Sequence, residues 1–184
     1  MVVAAQPALT IDEFLKQHGG ELNVELIDGQ VVRHPMPGLE HGRVCSNVGF
    51  EIETHARRTK SGRTFTNDTF IRVGEHTLRG GDVCYWSYAR LPANVPMPKG
   101  VYEPAADLVV EVKSPSDLWT DLLAKVLEYL RVGVTAVLVI DPKTESATVY
   151  RPGERQDVFE KDESLTIPDV LPGFEVPVSR FFEA

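Results

Sequence analysis

The sequence predicts an α/β domain, and three observations predict it. Residues 107–112 form a buried-type strand, residues 118–132 carry the apolar spacing of an amphipathic helix, and residues 134–140 are a continuous apolar strand. In that order they make a βαβ crossover, two neighbouring parallel strands with the helix across one face. Residues 22–27 and 30–34 flank Asp28-Gly29, a two-residue signal for a type I′ hairpin, so antiparallel pairing is expected as well. From Leu39 to about Lys60, Val44, Val48, Ile52 and Ala56 recur every four residues, as a long amphipathic helix requires. The chain has 184 residues, 42% hydrophobic and 25% charged, which suits one core, so a single domain over residues 1–184 is expected.

Each element has its own signal. Thr10-Ile11-Asp12-Glu13 is a capping box, in which the threonine and the glutamate each satisfy a free backbone donor, and it starts a short helix to about Gln17 that Gly19-Gly20 ends. The hairpin follows, and Pro35-Met36-Pro37-Gly38 breaks the sheet. Glu40 and His41 then occupy the first turn of the long helix. Residues 63–73 are rich in Thr and Phe without helical spacing and read as one strand or two short ones, closed by the turn Gly74-Glu75-His76. Residues 79–86 are a strand entered through Gly80-Gly81, and residues 91–104 are a proline-rich loop. Ser116 or Asp117 caps the crossover helix, whose buried stripe is Leu118, Leu122, Val126 and Leu130, and Gly133 stops it. Residues 147–150 pair back on the apolar strand through the turn Asp141-Pro142-Lys143-Thr144. The tail holds a short strand near residues 157–159, a turn-rich stretch at 168–173 and the apolar pair Phe181-Phe182.

Composition excludes several classes. The apolar runs are strand-sized, far below the roughly 20 residues that span a bilayer, so a soluble protein with no membrane partner is expected. Met1-Val2-Val3-Ala4-Ala5 lacks the basic start and the apolar length of a secretory signal, which makes cytoplasmic residence the default. Cys45 and Cys84 are far apart and form no zinc-type cluster in sequence, and both are expected to be small buried or half-buried side chains. A net charge of −8 argues against a broad basic nucleic-acid surface, leaving Arg57, Arg58, Lys60 and Arg63 to form a local positive rim.

The strand at residues 107–112 carries the chemistry. Strand side chains alternate, so Asp107, Val109, Glu111 and Lys113 share one face while Leu108, Val110 and Val112 share the other. In an arbitrary chain Glu-x-Lys is a same-face ion pair worth little. Here it lies in a core strand, where charges are costly unless paired or metal-bound, and at a strand end leading to a helix, where ligand sites gather. With Asp82 near the end of an earlier strand it outlines a divalent-metal site. Oxygen ligands from Asp82, Glu111 and the Val112 carbonyl suit Mg²⁺, with Mn²⁺ as a substitute, and a lysine beside the second acid can steady a nucleophilic water.

In chain order, Glu25-Leu26-Ile27-Asp28-Gly29, Glu40-His41-Gly42-Arg43, Arg79-Gly80-Gly81-Asp82-Val83, the block from Asp107 to Asp117, Lys125 through Tyr129, Asp141-Pro142 and Leu171-Pro172-Gly173-Phe174 resemble one bacterial family. It is a family of restriction-endonuclease-like proteins, formerly a domain of unknown function, within the PD-(D/E)XK nuclease superfamily. The resemblance spans nearly the whole chain, and its most specific piece is the block from Asp107 to Asp117. It implies a restriction-endonuclease-like core, a mixed central β-sheet flanked by α-helices, and magnesium-dependent endonuclease cleavage of DNA. Position by position, the superfamily's aspartate falls on Asp82, its second acid on Glu111, its lysine on Lys113 and its helical acid on Glu40. Many members lack a lysine at the position of Lys113 and use one on the following helix, here Lys125, so both lysines are candidates. Gly81 stands where a proline is usual, which alters the strand's entry and not its ligand. Superfamily enzymes that cut both strands often pair, which implies a homodimer.

Other residues carry two readings each. Glu25 also matches a family position and reads equally as an exposed charge at the hairpin start. His41 reads as a helix-start residue bonded to nearby backbone, or as a contact to phosphate or water. Lys125 shares a stripe with Asp121 and Tyr129 and reads as a solvated ion-pair face or as a catalytic one. Trp86 and Trp119 read as core residues, with base stacking as the minor option. Two further functions stand beside the nuclease: a non-catalytic nuclease-fold module that acts as a binding or assembly partner, and, remotely, a sugar hydrolase, disfavoured because a lysine has no required role beside its acids.

Overall fold

The computed structural model describes residues 8–183; the N-terminal Met1–Ala5 stretch read above lies outside the described residues. The capping box forms as its residues dictate: Glu13 accepts from the Thr10 amide at 2.9 Å while Thr10 Oγ1 accepts from the Glu13 amide, and α1 (Ile11–His18) follows. The strands β1 (Val24–Ile27) and β2 (Gln30–Arg33) form the hairpin, with φ of 48° at Asp28 and 77° at Gly29. Both central residues of a type I′ turn need positive φ, and Asn, Asp and Gly tolerate it best. The long helix α2 (Leu39–Thr59) buries Val44, Val48, Ile52 and Ala56, the stripe its spacing predicts.

Residues 63–73 resolve into one long strand, β3 (Gly62–Gly74), paired along its length with β4 (Thr77–Ser87). A bulge between Thr66 and Thr69 is carried by Asn67 and Asp68, both with positive φ. The crossover is present as predicted: β5 (Leu108–Val112), α3 (Trp119–Arg131) and β6 (Ala136–Asp141), with β5 and β6 parallel. Next, β7 (Ser146–Tyr150) and β8 (Asp157–Phe159) extend the sheet antiparallel. The tail adds a small hairpin of β9 (Ser164–Thr166) and β10 (Glu175–Pro177), then a 3₁₀ helix at Val178–Phe182. This hairpin is found only in the structure, whereas β8, equally short, stands where the sequence predicts a strand.

The main sheet runs β2-β1-β4-β5-β6-β7-β8 with β3 on the remaining side of β4, a mixed restriction-endonuclease-like architecture. Each face buries a core, and on the α3 side Val109 packs in that core while Glu111 is buried against Lys125 and Tyr129. On the α2 side, Val83, Val110 and Leu138 pack with Val44, Val48 and Phe181. On the α3 side, Val109, Val137 and Val139 pack with Leu122, Val126 and Tyr129. Asp107 serves the far end of β5, where it accepts from the Ser87 amide at 2.7 Å and meets Arg90 at 3.2 Å.

The α3 boundary departs from expectation. The residue preceding the helix is Leu118, which has no side-chain cap bond and is 64% exposed, so it is not part of the buried stripe. Asp117 instead accepts from the Ser114 amide at 2.7 Å, tightening the loop before the helix. At the other end of the stripe Tyr129 is fully buried and Leu130 only partly so. Trp86 is buried, whereas Trp119 is 42% exposed. Cys45 is half-buried and Cys84 buried, both with free thiols.

Gly81 is set by space. A Cβ there would lie 2.7 Å from Cys84 Sγ and 2.9 Å from Val109 Cγ1, so a side chain at this position does more than alter the strand's entry. Gly81→Ala is expected to destabilise by about 1–3 kcal/mol, the usual cost of overpacking a filled core. Urea unfolding of the two proteins measures it, and an unchanged midpoint would show that the core yields.

Candidate active site

Three strands meet at β4. On one side β3 follows it throughout; on the other β1 pairs with it at Leu78 and β5 pairs with it at Val83, Cys84 and Tyr85. The β1 and β5 ladders therefore part around Gly80–Asp82. Backbone groups left open at such a split must find partners, because a buried unpaired amide or carbonyl costs about 1–3 kcal/mol. Here they find side chains. The Gly80 amide donates to Glu25 Oε1 at 2.9 Å, Lys125 Nζ donates to the Gly80 carbonyl at 2.9 Å, and the Val112 amide donates to Asp82 Oδ2 at 2.6 Å.

Lys125 ties the split together. Its ammonium lies 2.8 Å from Glu111 Oε2 and 3.2 Å from Glu25 Oε1. One turn on, Tyr129 donates to Glu111 Oε1 at 2.8 Å, so both oxygens of Glu111 are held from α3. The Lys125 and Tyr129 face is thus buried against the sheet and is not a solvated ion-pair face. Glu25 is buried, not exposed: besides Lys125 and Gly80 it holds Arg79 at 2.9 Å and His34 at 3.0 Å. Arg79 in turn makes a two-pronged pair with Glu128 at 2.7 and 3.1 Å.

These bonds open on a cleft of about 280 Å³ lined by Glu25, Asp68, Asp82 and Glu111 together with His41 and Lys125. Asp82 and Glu111 each lie one residue beyond the Val83–Val110 pair, which sets them beside one another at the cleft. His41, on the first turn of α2, reaches Asp82 Oδ2 at 3.4 Å and Cys45 Sγ at 3.5 Å, and bonds the Val112 backbone. It serves as a partner of Asp82 as well as of backbone.

Charge crowding marks the cleft. Burial pushes the Glu111 carboxyl up to about 7, with the Asp82 charge adding to the effect and Lys125 and Tyr129 opposing it. Asp68 is raised too, first by burial and then by Asp82. Burial works against the charge on His41, but the bond to Asp82, the charges of Asp82 and Asp117 and the Val112 backbone together outweigh it and raise the imidazole pKa. Burial likewise opposes charge on Lys125 and on Glu25. Glu111 and Glu25 nonetheless hold the ammonium well above its usual range, and His34, Lys125 and Gly80 hold Glu25 well below the carboxylate range.

Two residues expected at the site stand elsewhere. Lys113 lies just past the end of β5, where its ammonium bonds the Ser114 carbonyl at 3.2 Å and sits 5.8 Å over the Trp119 ring, outside the cleft lining. Glu40 is exposed and also outside that lining. A repeat of every four residues drifts about 40° per step around a helix of 3.6 residues per turn. Counting back from Val44, His41 at three residues lines the cleft, while Glu40 at four, the position the family resemblance gives the helical acid, is exposed. Arg57, Arg58 and Lys60 stand at the far end of α2, roughly 24 Å of helix from His41 at 1.5 Å per residue, so they form no rim here. Arg63 bonds the Ala93 carbonyl.

Asp68 was not singled out in the sequence. It reaches the cleft from the β3 bulge, and the only sequence signal for it is Asn67-Asp68, a pair that accepts positive φ readily.

Comparison with known proteins shows what the chain is similar to. A family model described as "Uma2: Putative restriction endonuclease" matches residues 11–179. A solved structure described as a putative nuclease belonging to DUF820 from Anabaena variabilis superposes with a TM-score of 0.82 at 26% identity, covering 95% of this chain and 97% of that one. Among curated proteins none matches the chain. Among the described residues no helix is long and apolar enough to cross a membrane.

The ionic cluster makes a stability prediction. Glu25→Ala leaves Arg79 and Lys125 short of a buried counter-charge and should cost about 3–5 kcal/mol in urea unfolding. Glu25→Gln, which keeps an acceptor for the Gly80 amide, should cost less. A loss below about 1 kcal/mol, the range of an exposed pair, would show that Glu25 does not hold the cluster.

Proposed function

The chain belongs to the Uma2 family of putative restriction endonucleases, and on that premise we propose that it is a magnesium-dependent DNA endonuclease, one domain acting at Asp82 and Glu111. The observation that carries the reading is the Lys125 ammonium, 2.8 Å from Glu111 in the cleft that Asp82 also lines. A carboxylate pair with an adjoining lysine is what metal-assisted phosphodiester hydrolysis needs.

The donor set fits a hard cation. Asp82, Glu111 and the Val112 carbonyl offer oxygens, as Mg²⁺ prefers and Mn²⁺ accepts. Burial, and then the charge of Asp82, raise the Glu111 and Asp68 carboxyls, and a dication bound there would oppose both effects. Bound there, the ion would supply a Lewis acid for the phosphate and a water of lowered pKa. Lys125 keeps its proton, so it acts as a fixed positive charge for the developing phosphorane and not as a base. Glu25 and the Gly80 carbonyl hold that charge in place, and Tyr129 orients Glu111. Lys125, and not Lys113, takes the lysine's part in this reading, with Glu40 outside it. With a net charge of −8, DNA would be gripped locally at the cleft, and a homodimer would present two such clefts to the two strands.

Plasmid cleavage with Mg²⁺ or Mn²⁺ tests the reading. Asp82→Ala, Glu111→Ala and Lys125→Ala should each lose about 10²-fold or more in rate, the scale of removing one transition-state contact. Lys113→Ala should stay near wild type. A folded protein that neither binds Mn²⁺ nor cuts any DNA substrate would overturn it.

The pH dependence has a defined sign. Glu111 titrates near 7 and His41 above its usual value, so both shed protons as pH rises. A deprotonated Glu111 and a neutral His41 favour the cation, so apparent Mg²⁺ affinity should strengthen from about pH 6 to about pH 8. Titrating Mg²⁺ against cleavage rate at several pH values checks it; affinity that falls over that range would contradict the assignment.

A further inference from the structure

The α2 side of the cleft holds a second set of ligands with different chemistry. One ring nitrogen of His41, the Cys45 sulfur and an Asp82 oxygen all lie within 4.8 Å of one another, all three half-buried. His41 and Cys45 stand four residues apart, one turn of α2, so the helix aims both at the same point. The His41 ring stands between the other two, with Nδ1 3.5 Å from Cys45 Sγ and Nε2 3.4 Å from Asp82 Oδ2. Ligand atoms on a tetrahedral zinc ion sit roughly 3.3–3.8 Å apart, given bonds of about 2.0–2.3 Å. A turn of the His41 ring that aims one nitrogen between Cys45 and Asp82, with a closing of the three side chains, completes such a set, and the fourth position is left to water.

We propose that His41, Cys45 and Asp82 form a binding site for Zn²⁺ or a similar thiol-seeking divalent ion, which switches the nuclease off by taking Asp82 from magnesium. The switch rests on Asp82 serving the nuclease; the zinc site does not. Magnesium disfavours sulfur and nitrogen ligands, whereas zinc binds both and stands far above magnesium in affinity for them. The two ions therefore share one carboxylate and draw on different partners, the zinc on α2 and the magnesium on β5. Burial and the neighbouring charges of Asp82, Asp68 and Glu111 keep the Cys45 thiol protonated while no cation is present. On coordination the thiol gives its proton to solvent and its sulfur lone pair to the ion, with no change of redox state.

Co²⁺ and Zn²⁺, added to the full chain with and without Mg²⁺, test the proposal. Co²⁺ should bind one to one and show a thiolate-to-metal absorption band that Zn²⁺ displaces and that Cys45→Ala abolishes. Zn²⁺ should inhibit magnesium-dependent cleavage reversibly, and Cys45→Ala should cut freely while needing at least about tenfold more Zn²⁺ for inhibition, the least expected on losing a ligand. Cys45→Ser, close in size, guards against a folding defect and should behave like Cys45→Ala. Absence of the band, or equal zinc sensitivity in the variants, overturns the proposal. A wild-type protein that shows the band yet cuts no DNA leaves the site standing and removes the nuclease reading instead.

Discussion

The Lys125 ammonium, buried between Glu25 and Glu111, is the contact on which the rest of the site depends. It exists because β4 leaves β1 and joins β5 over a few residues, opening a gap in the ladder that backbone alone cannot close. A cation on the crossover helix reaches into the gap, bonds the free Gly80 carbonyl and draws a carboxylate from each flanking strand. Gly80 and Gly81 fit the crowded strand beside the gap, since a Cβ on Gly80 would lie 2.9 Å from Asp68 Cβ and one on Gly81 would strike Cys84 and Val109. Sheet topology and local chemistry are thus one problem with one solution.

That solution leaves the cleft short of positive charge. Lys125 is committed to Glu25 and Glu111, and Arg79 to Glu25 and Glu128, so Asp82 and Asp68 face the opening with His41 as the nearest cationic partner. Carboxylates in a half-buried pocket raise one another's pKa unless a cation joins them. A site of this kind favours divalent ions, and the identity of the remaining donors chooses among them: carbonyl oxygen on β5, imidazole and thiol on α2.

Much of the architecture was legible from local patterns. The capping box at Thr10, the Asp28-Gly29 turn, the α2 stripe and the crossover each rest on interactions within a few residues, and each stands where its spacing predicts. The misreadings share a cause. Leu118 was placed in the core and Lys125 in solvent by extending a four-residue repeat, although which face of α3 is buried depends on what the sheet presents to it. The β9 and β10 strands, three residues each, hold together only because the tail packs back on α2 and the sheet.

By itself the sequence determined the α/β class, the crossover and the hairpin, because strand alternation, helical periodicity and turn chemistry are local properties, and it pointed to Asp82 and Glu111 as candidate ligands. It also marked Lys113 and Lys125 as rivals without ranking them. Only the tertiary structure decided which lysine enters the cleft, that Glu25 is buried under four partners, and that Asp68 and Cys45 stand near Asp82. Those facts depend on where strands far apart in the chain part and rejoin, and no spacing along the chain encodes the gap between β1 and β5 that brings the charges together.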